Sequence, residues 1–291
     1  MAHLDLPACC RLTEPVAGYP VLEIEHPSAT ARLALHGAHL MEWKPAGRRP
    51  VLYLSPQAVL KPGKAIRGGI PVCWPWFGAH PTECGLPAHG LARTRFWRLD
   101  EVREEESGVT VRLGLRDDES TRPIWPPAFA TALTVSVGTD LAVALEGSNL
   151  ANAPFLVGGA LHTYLAVGAI EQVRVEGLEG ARYEDALTGS EAVQAGPVVI
   201  DREVDRIYDH GGGCRMIDEA WGRAVTVQQS GSADLVVWNP WEEKTRSLGD
   251  LPPDGFRGFL CLEAAIASRH RVEVNPGATH RFSTRLSVEA L

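Results

Sequence analysis

A chain of 291 residues, 45% of them hydrophobic and 22% charged, can bury a sizeable core. Its net charge of −8 speaks against a nucleic-acid partner, because that binding rests on Lys and Arg neutralising phosphates. No apolar run approaches a membrane span, and the N-terminus lacks a basic region followed by an apolar one. No membrane contact is therefore expected, and the cytoplasm is the expected compartment.

The first elements are short runs that alternate apolar and polar residues, VLEIEH and ARLALH, the pattern of half-buried strands. A different grammar follows from Lys61 to Arg93, KPGKAIRGGIPVCWPWFGAHPTECGLPAHGLAR. Pro and Gly recur too often there for a helix, yet Trp74, Trp76 and Phe77 argue against disorder. This segment reads as a long ordered loop. From Pro56 to Leu99 there are six basic residues and one acidic residue, Glu83, so the loop is locally positive in an acidic protein. Glycines flank Arg67 and Arg93, which makes them the best candidates for holding a small anion. Lys61, Lys64 and Arg98 read better as solvated surface charges.

Strand patterns resume at Val109–Leu115, Leu133–Val137 and Leu141–Leu145, with Gly-Thr-Asp joining the last two as a hairpin. ALHTYLAV places His162 and Tyr164 on one face and Leu161, Thr163 and Leu165 on the other. EVDRIY reads as a helical turn. The runs RAVTVQQ, DLVVWN, RVEVN and HRFSTRLSV are strands again. GFLCLEAA sets Phe259, Cys261 and Glu263 opposite Leu260, Leu262 and Ala264. Taken singly, a strand histidine is more often a satisfied core residue, and a strand glutamate more often a surface carboxylate. Many short strands with Gly/Pro-rich turns and no linker imply one all-β domain over residues 1–291, a large antiparallel β-sandwich.

The six cysteines form no C-x-x-C pair and read as free thiols of a reducing compartment. A zinc site from Cys73, His80, Cys84 and His89 has suitable ligand types but lacks the paired spacing of structural zinc. No metal is expected.

Read together, KAIRGGIPVCWPWFG, PAHGLAR, ALHTYL, EVDRIY, VVWNPWEEK and LCLEAA, in this order, resemble the hexose-6-phosphate mutarotases (glucose-6-phosphate 1-epimerases) of the aldose 1-epimerase superfamily. The likeness runs from GAHLMEW at Gly37 to the C-terminal strands. It implies the galactose mutarotase-like supersandwich, with the sugar on the concave face of one sheet. The sequence departs at Leu91, where the family more often has an aromatic residue.

The chemistry of such a reaction follows from the substrate. Interconverting the anomers of an aldose needs a base for the C1 hydroxyl proton and an acid for the ring oxygen as the C1–O5 bond breaks. No cofactor is required. The resemblance implies Glu263 as the base and His162 as the acid, with His89 supporting near C1 and Asp205 accepting from sugar hydroxyls. It implies Arg67 and Arg93 as the clamp for a phosphate dianion, and Trp76 as an aromatic wall, although Trp74, Trp76, Trp238 and Trp241 can equally pack beneath loops. The expected partner is a small-molecule sugar phosphate, and the expected state is a monomer. Two other readings keep the fold: a mutarotase of unphosphorylated hexoses, and a non-catalytic sugar-phosphate binding or regulatory protein. The second leaves the presence of both His162 and Glu263 unexplained.

Overall fold

A computed structural model describes residues 5–80 and 82–291. Strands dominate, as the alternating runs predict, and every strand pair is antiparallel. Cys10–Val16, Tyr19–His26, Ala29–Ala34 and His39–Pro45 form a four-stranded meander. A nine-stranded sheet runs from Val198–Val199 at one edge to Arg98–Glu105 at the other. An eight-stranded sheet faces it. Its order is Ser190–Val193, Arg182–Asp185, Val204–Asp209, Asp234–Asn239, Phe259–Ile266, Gly159–Leu161 and Val72–Cys73, with Tyr164–Ala166 also pairing to Phe259–Ile266.

The main core lies between these two sheets. Leu260 and Leu262 of one pack into the same apolar cluster as Val143, Leu145 and Leu286 of the other. The opposite side of the eight-stranded sheet is covered too, since all eight residues of Phe259–Ile266 are buried. A strand covered on both faces tolerates few polar groups without a specific reason. Glu263 is therefore an exception that the fold alone does not account for.

Two local readings need correction. EVDRIY is no helical turn. Val204–Asp209 is an inner strand that pairs with Arg182–Asp185 on one side and Asp234–Asn239 on the other. Its Val, Ile and Tyr suit a pleated surface, and the neighbouring ladders override any local helical tendency. ALHTYLAV is not continuous, because Gly159–Leu161 and Tyr164–Ala166 are separated at His162 and Thr163. There the amide of His162 donates to Pro71 O at 3.1 Å, drawing this segment onto the long loop. Trp241–Arg246 adds a short helix that sequence reasoning did not anticipate, with Glu242 and Glu243 in its first turn and Lys244 and Arg246 in its last. That arrangement complements the helix dipole.

The Lys61–Arg93 loop is ordered by burial of its aromatic residues. Trp74 is buried against Trp125 and Phe129, with ring centroids 5.0 Å away in each case. Gly90 has φ +75°, and a Cβ there would lie 2.1 Å from Trp74 O. The amides of Leu91 and Ala92 both donate to that carbonyl, so the chain must pass this close. Among the described residues, no helix is long and apolar enough to cross a membrane.

Candidate active site

Strand Phe259–Ile266 aims Phe259, Cys261 and Glu263 away from the main core, because alternate residues face opposite ways. His162 meets Glu263 from the break between the two short strands beside it. Its Nδ1 lies 3.1 Å from Glu263 Oε1. Glu263 is 1% exposed and His162 8%. The approach lacks hydrogen-bond alignment, and His162 Nδ1 and Glu263 Oε2 are buried with no hydrogen-bond partner among the described residues. Leaving such atoms unmatched costs about 1–3 kcal/mol each. A ligand bearing hydroxyl groups would recover that energy.

The electrostatics favour the neutral forms of both groups. Burial lifts the Glu263 carboxyl well above its ordinary range, and the charge of Asp205 adds to this while Arg93 opposes it. Burial holds His162 well below its ordinary range, with His89, Arg93 and Arg67 acting in the same direction. A carboxyl beside an imidazole holds one dissociable proton, and so does a carboxylate beside an imidazolium. The two states are tautomers. Such a pair can release a proton at one atom and accept one at the other without a change in total charge.

Aromatic rings fix the histidine. Tyr164 stacks on His162 at 4.9 Å with 9° between the rings, and Trp238 meets it edge-on at 5.8 Å. Tyr164 opens the short strand that follows the break at His162, and Trp238 is set by its strand pairing with Cys261. The ring of His89 reaches within 5.9 Å of His162 and also packs on Phe77. Burial, then the charges of Arg93 and Arg67, lower His89 to about 3. It is therefore a neutral hydrogen-bonding group at physiological pH.

Arg67 donates from Nε to Asp250 Oδ1 and from Nη1 to the Tyr164 hydroxyl, both at 3.0 Å. Burial opposes its charge, but Tyr164 and Asp250 outweigh that and hold the guanidinium above its ordinary range. A guanidinium has five N–H groups, so these two bonds orient it and leave others available. Arg93 donates from Nη2 to Ala88 O at 2.9 Å, within its own loop. Asp205 pairs across the sheet with Trp238, and burial raises its carboxyl from 3.8 to about 6.

Six of the seven sequence candidates thus act on one region. His89 and Glu263 lie against His162, Arg67 bonds the Tyr164 that stacks on it, and Asp205 pairs with the Trp238 that meets it edge-on. Arg93 bears electrostatically on both members of the pair. Trp76 differs. It is 4% exposed, its indole N–H donates to Pro87 O at 3.1 Å, and its ring packs on His80. It braces the loop, and Trp238 is the tryptophan beside the histidine. A cavity of about 900 Å³ lies elsewhere, along the N-terminal meander, and none of the seven candidates lines it.

Sequence reasoning missed Asp250 and the role of Tyr164. Tyr164 was legible as a neighbour of His162 on the same strand face. Asp250 lies 183 positions from Arg67 and carried no local signal.

Comparison with known proteins bears on the family and the fold. A protein from Escherichia coli (strain K12), provisionally named glucose-6-phosphate 1-epimerase, is 39% identical over 251 residues, spanning 85% of this chain and 83% of its own. One of the same provisional name from Cenchrus ciliaris is 35% identical over 269 residues, covering 88% and 80%. A crystal structure from Salmonella typhimurium, provisionally named a mutarotase, superposes with a TM-score of 0.93 at 32% identity, covering 99% of this chain and 96% of the other. The model of the family described as aldose 1-epimerase matches residues 20–287. The chain belongs to the aldose 1-epimerase family.

Proposed function

We propose that this protein interconverts the α and β anomers of a hexose 6-phosphate, with glucose 6-phosphate as the foremost candidate. The observation that carries the proposal is the buried His162–Glu263 pair at 3.1 Å, within reach of the charges of Arg67 and Arg93. Starting from the carboxylate–imidazolium tautomer of the pair, Glu263 takes the C1 hydroxyl proton and His162 protonates the ring oxygen as the C1–O5 bond breaks, which leaves the carboxyl and the neutral imidazole. The aldehyde turns about C1–C2 and recloses on its other face, and the two groups then exchange roles. Each positioned proton transfer contributes about 10²–10⁴-fold. Arg67 and Arg93 receive the phosphate, Asp205 accepts from sugar hydroxyls and neutral His89 hydrogen-bonds near C1. The chain acts as a single-domain monomer of the cytoplasm, without cofactor or nucleic acid.

The provisional names of the Escherichia coli and Cenchrus ciliaris relatives support the phosphorylated substrate. One observation favours the unphosphorylated reading: Arg67 already has a carboxylate partner in Asp250. Two-dimensional exchange NMR on several hexose 6-phosphates, with free glucose as control, tests both. Faster exchange with the phosphorylated sugars is expected. Equal rates for glucose and glucose 6-phosphate would remove the phosphate from the proposal, and buffer rates for all sugars would leave a binding protein.

A further inference from the structure

Cys261 is a buried thiol that the proposed proton transfers do not use. It lies two residues from Glu263 on the same strand face, and its Sγ, a His162 ring nitrogen and a Glu263 carboxylate oxygen all lie within 4.8 Å of one another. These are the three donor types that zinc accepts together. At bond lengths of about 2.0–2.3 Å and tetrahedral angles, donors around zinc stand about 3.3–3.7 Å apart. His162 Nδ1 and Glu263 Oε1 stand at 3.1 Å, near that separation, and the cluster as a whole lies within 4.8 Å.

A second observation concerns the same side chains. His162 Nδ1 and Glu263 Oε2 are buried polar atoms with no hydrogen-bond partner among the described residues. Two unmatched donors beside a thiol are what a cation would find attractive. The four residues of the Lys61–Arg93 loop weighed from sequence, Cys73, His80, Cys84 and His89, do not form such a group among the described residues. The other group that does, Asp209, Asp234 and His270, is already satisfied: both Asp234 oxygens are bonded, and Arg269 sits 2.9 Å from Asp209.

We propose that His162, Cys261 and Glu263 form a seat for a thiophilic divalent cation, with Zn²⁺ as its representative, and that occupancy switches anomer exchange off. The inhibitory half rests on the acid/base reading of the pair, whereas the seat does not. Binding deprotonates the Cys261 thiol and the Glu263 carboxyl, releasing both protons to solvent, and leaves His162 neutral with its nitrogen lone pair on the metal. One thiolate and one carboxylate cancel the two positive charges. The complex is neutral, as a buried site demands. Asp205 adds favourable field, and Arg67 and Arg93 oppose it. Magnesium is excluded by its preference for several oxygen ligands and retained waters. Because protons leave, affinity rises with pH.

The test uses the full chain, stripped of metal with a chelator. Co²⁺ reports thiolate coordination by a charge-transfer absorption in the near ultraviolet, and calorimetry with Zn²⁺ reports affinity. Wild type should give the band and one zinc per chain, whereas Cys261→Ala and the closer isostere Cys261→Ser should lose the band. Losing a ligand costs more than the about 10–100-fold typical of losing a ligand's supporting partner, so zinc affinity should fall by at least about 100-fold. Cys9→Ser and Cys84→Ser should change neither. In exchange NMR, Zn²⁺ should inhibit competitively with glucose 6-phosphate, Mg²⁺ should not, and Cys261→Ala should remain active in Zn²⁺. A band absent from wild type, or one that survives both Cys261 substitutions, overturns the seat. Zinc bound through Cys261 without inhibition overturns the switch. Buffer-level exchange in metal-free wild type would instead sink the acid/base reading, leaving the spectrum to judge the seat.

Discussion

Replacing Asp205 with Asn should stabilise the fold at neutral pH while weakening sugar binding. The carboxyl stands on Val204–Asp209 beside Trp238, where burial, then Glu203 and Asp185, raise it from 3.8 to about 6, with Lys244 opposing. That rise corresponds to up to about 3 kcal/mol at about 1.4 kcal/mol per pH unit. The sign follows from proton linkage. Below pH 3.8 the carboxyl is protonated whether the chain is folded or not, and it contributes nothing. Between pH 3.8 and about 6 the unfolded chain gives up its proton first, so stability falls as pH rises. Above pH 6 the full cost is present. Urea unfolding of wild type and Asp205→Asn at pH 3.5, 5 and 8 measures it directly. The gap in favour of Asn should be near zero at the lowest pH and approach about 3 kcal/mol at the highest. A gap independent of pH would refute the burial argument. At pH 8 the same variant should show a raised KM for glucose 6-phosphate, as a group retained for binding would.

Other substitutions probe the remaining parts. His162→Ala and Glu263→Gln should each keep a folded circular dichroism spectrum and reduce anomer exchange by about 10²–10⁴-fold. The double variant should lose little more, since the two groups act as a unit. Arg67→Ala and Arg93→Ala should each raise KM for the sugar phosphate about 10–150-fold, the range set by about 1.5–3 kcal/mol for a charged hydrogen bond, and change free-glucose exchange far less. Tyr164→Phe keeps the ring on His162 but removes the hydroxyl that orients Arg67, so steady-state kinetics should show KM up about fivefold with kcat nearly unchanged, from a net hydrogen bond of about 1 kcal/mol. Gly90→Ala adds a Cβ 2.1 Å from Trp74 O in a positive-φ residue, and thermal unfolding should show a loss beyond the about 1–3 kcal/mol of backbone strain alone.

Much of the architecture was legible because antiparallel strands write their burial into alternate residues. Leu133, Val135 and Val137 announced a strand that Phe129–Gly138 contains, and Gly-Thr-Asp announced its hairpin. EVDRIY misled because its six residues fit either period, and only the ladders on both sides decide the matter. In the site, His162 and Glu263 stood out as ionisable groups among apolar neighbours, but their meeting depends on a strand break that no local signal marks. The tryptophans show the same limit. Trp76 and Trp238 look alike in sequence, and the distinction lies in whether the indole N–H finds a carbonyl within its own loop.

The continuous burial of Phe259–Ile266 carries an implication for how this strand tolerates change. Leu260 and Leu262 answer to the inter-sheet core, Cys261 packs with Tyr164, Leu251 and Phe259 on the other side, and Glu263 answers to whatever enters there. Neighbouring positions are thus held by unrelated demands. A saturation scan read out separately for cellular abundance and for turnover should part these demands, with Leu260 and Leu262 failing by protein level and Glu263 by activity at normal level.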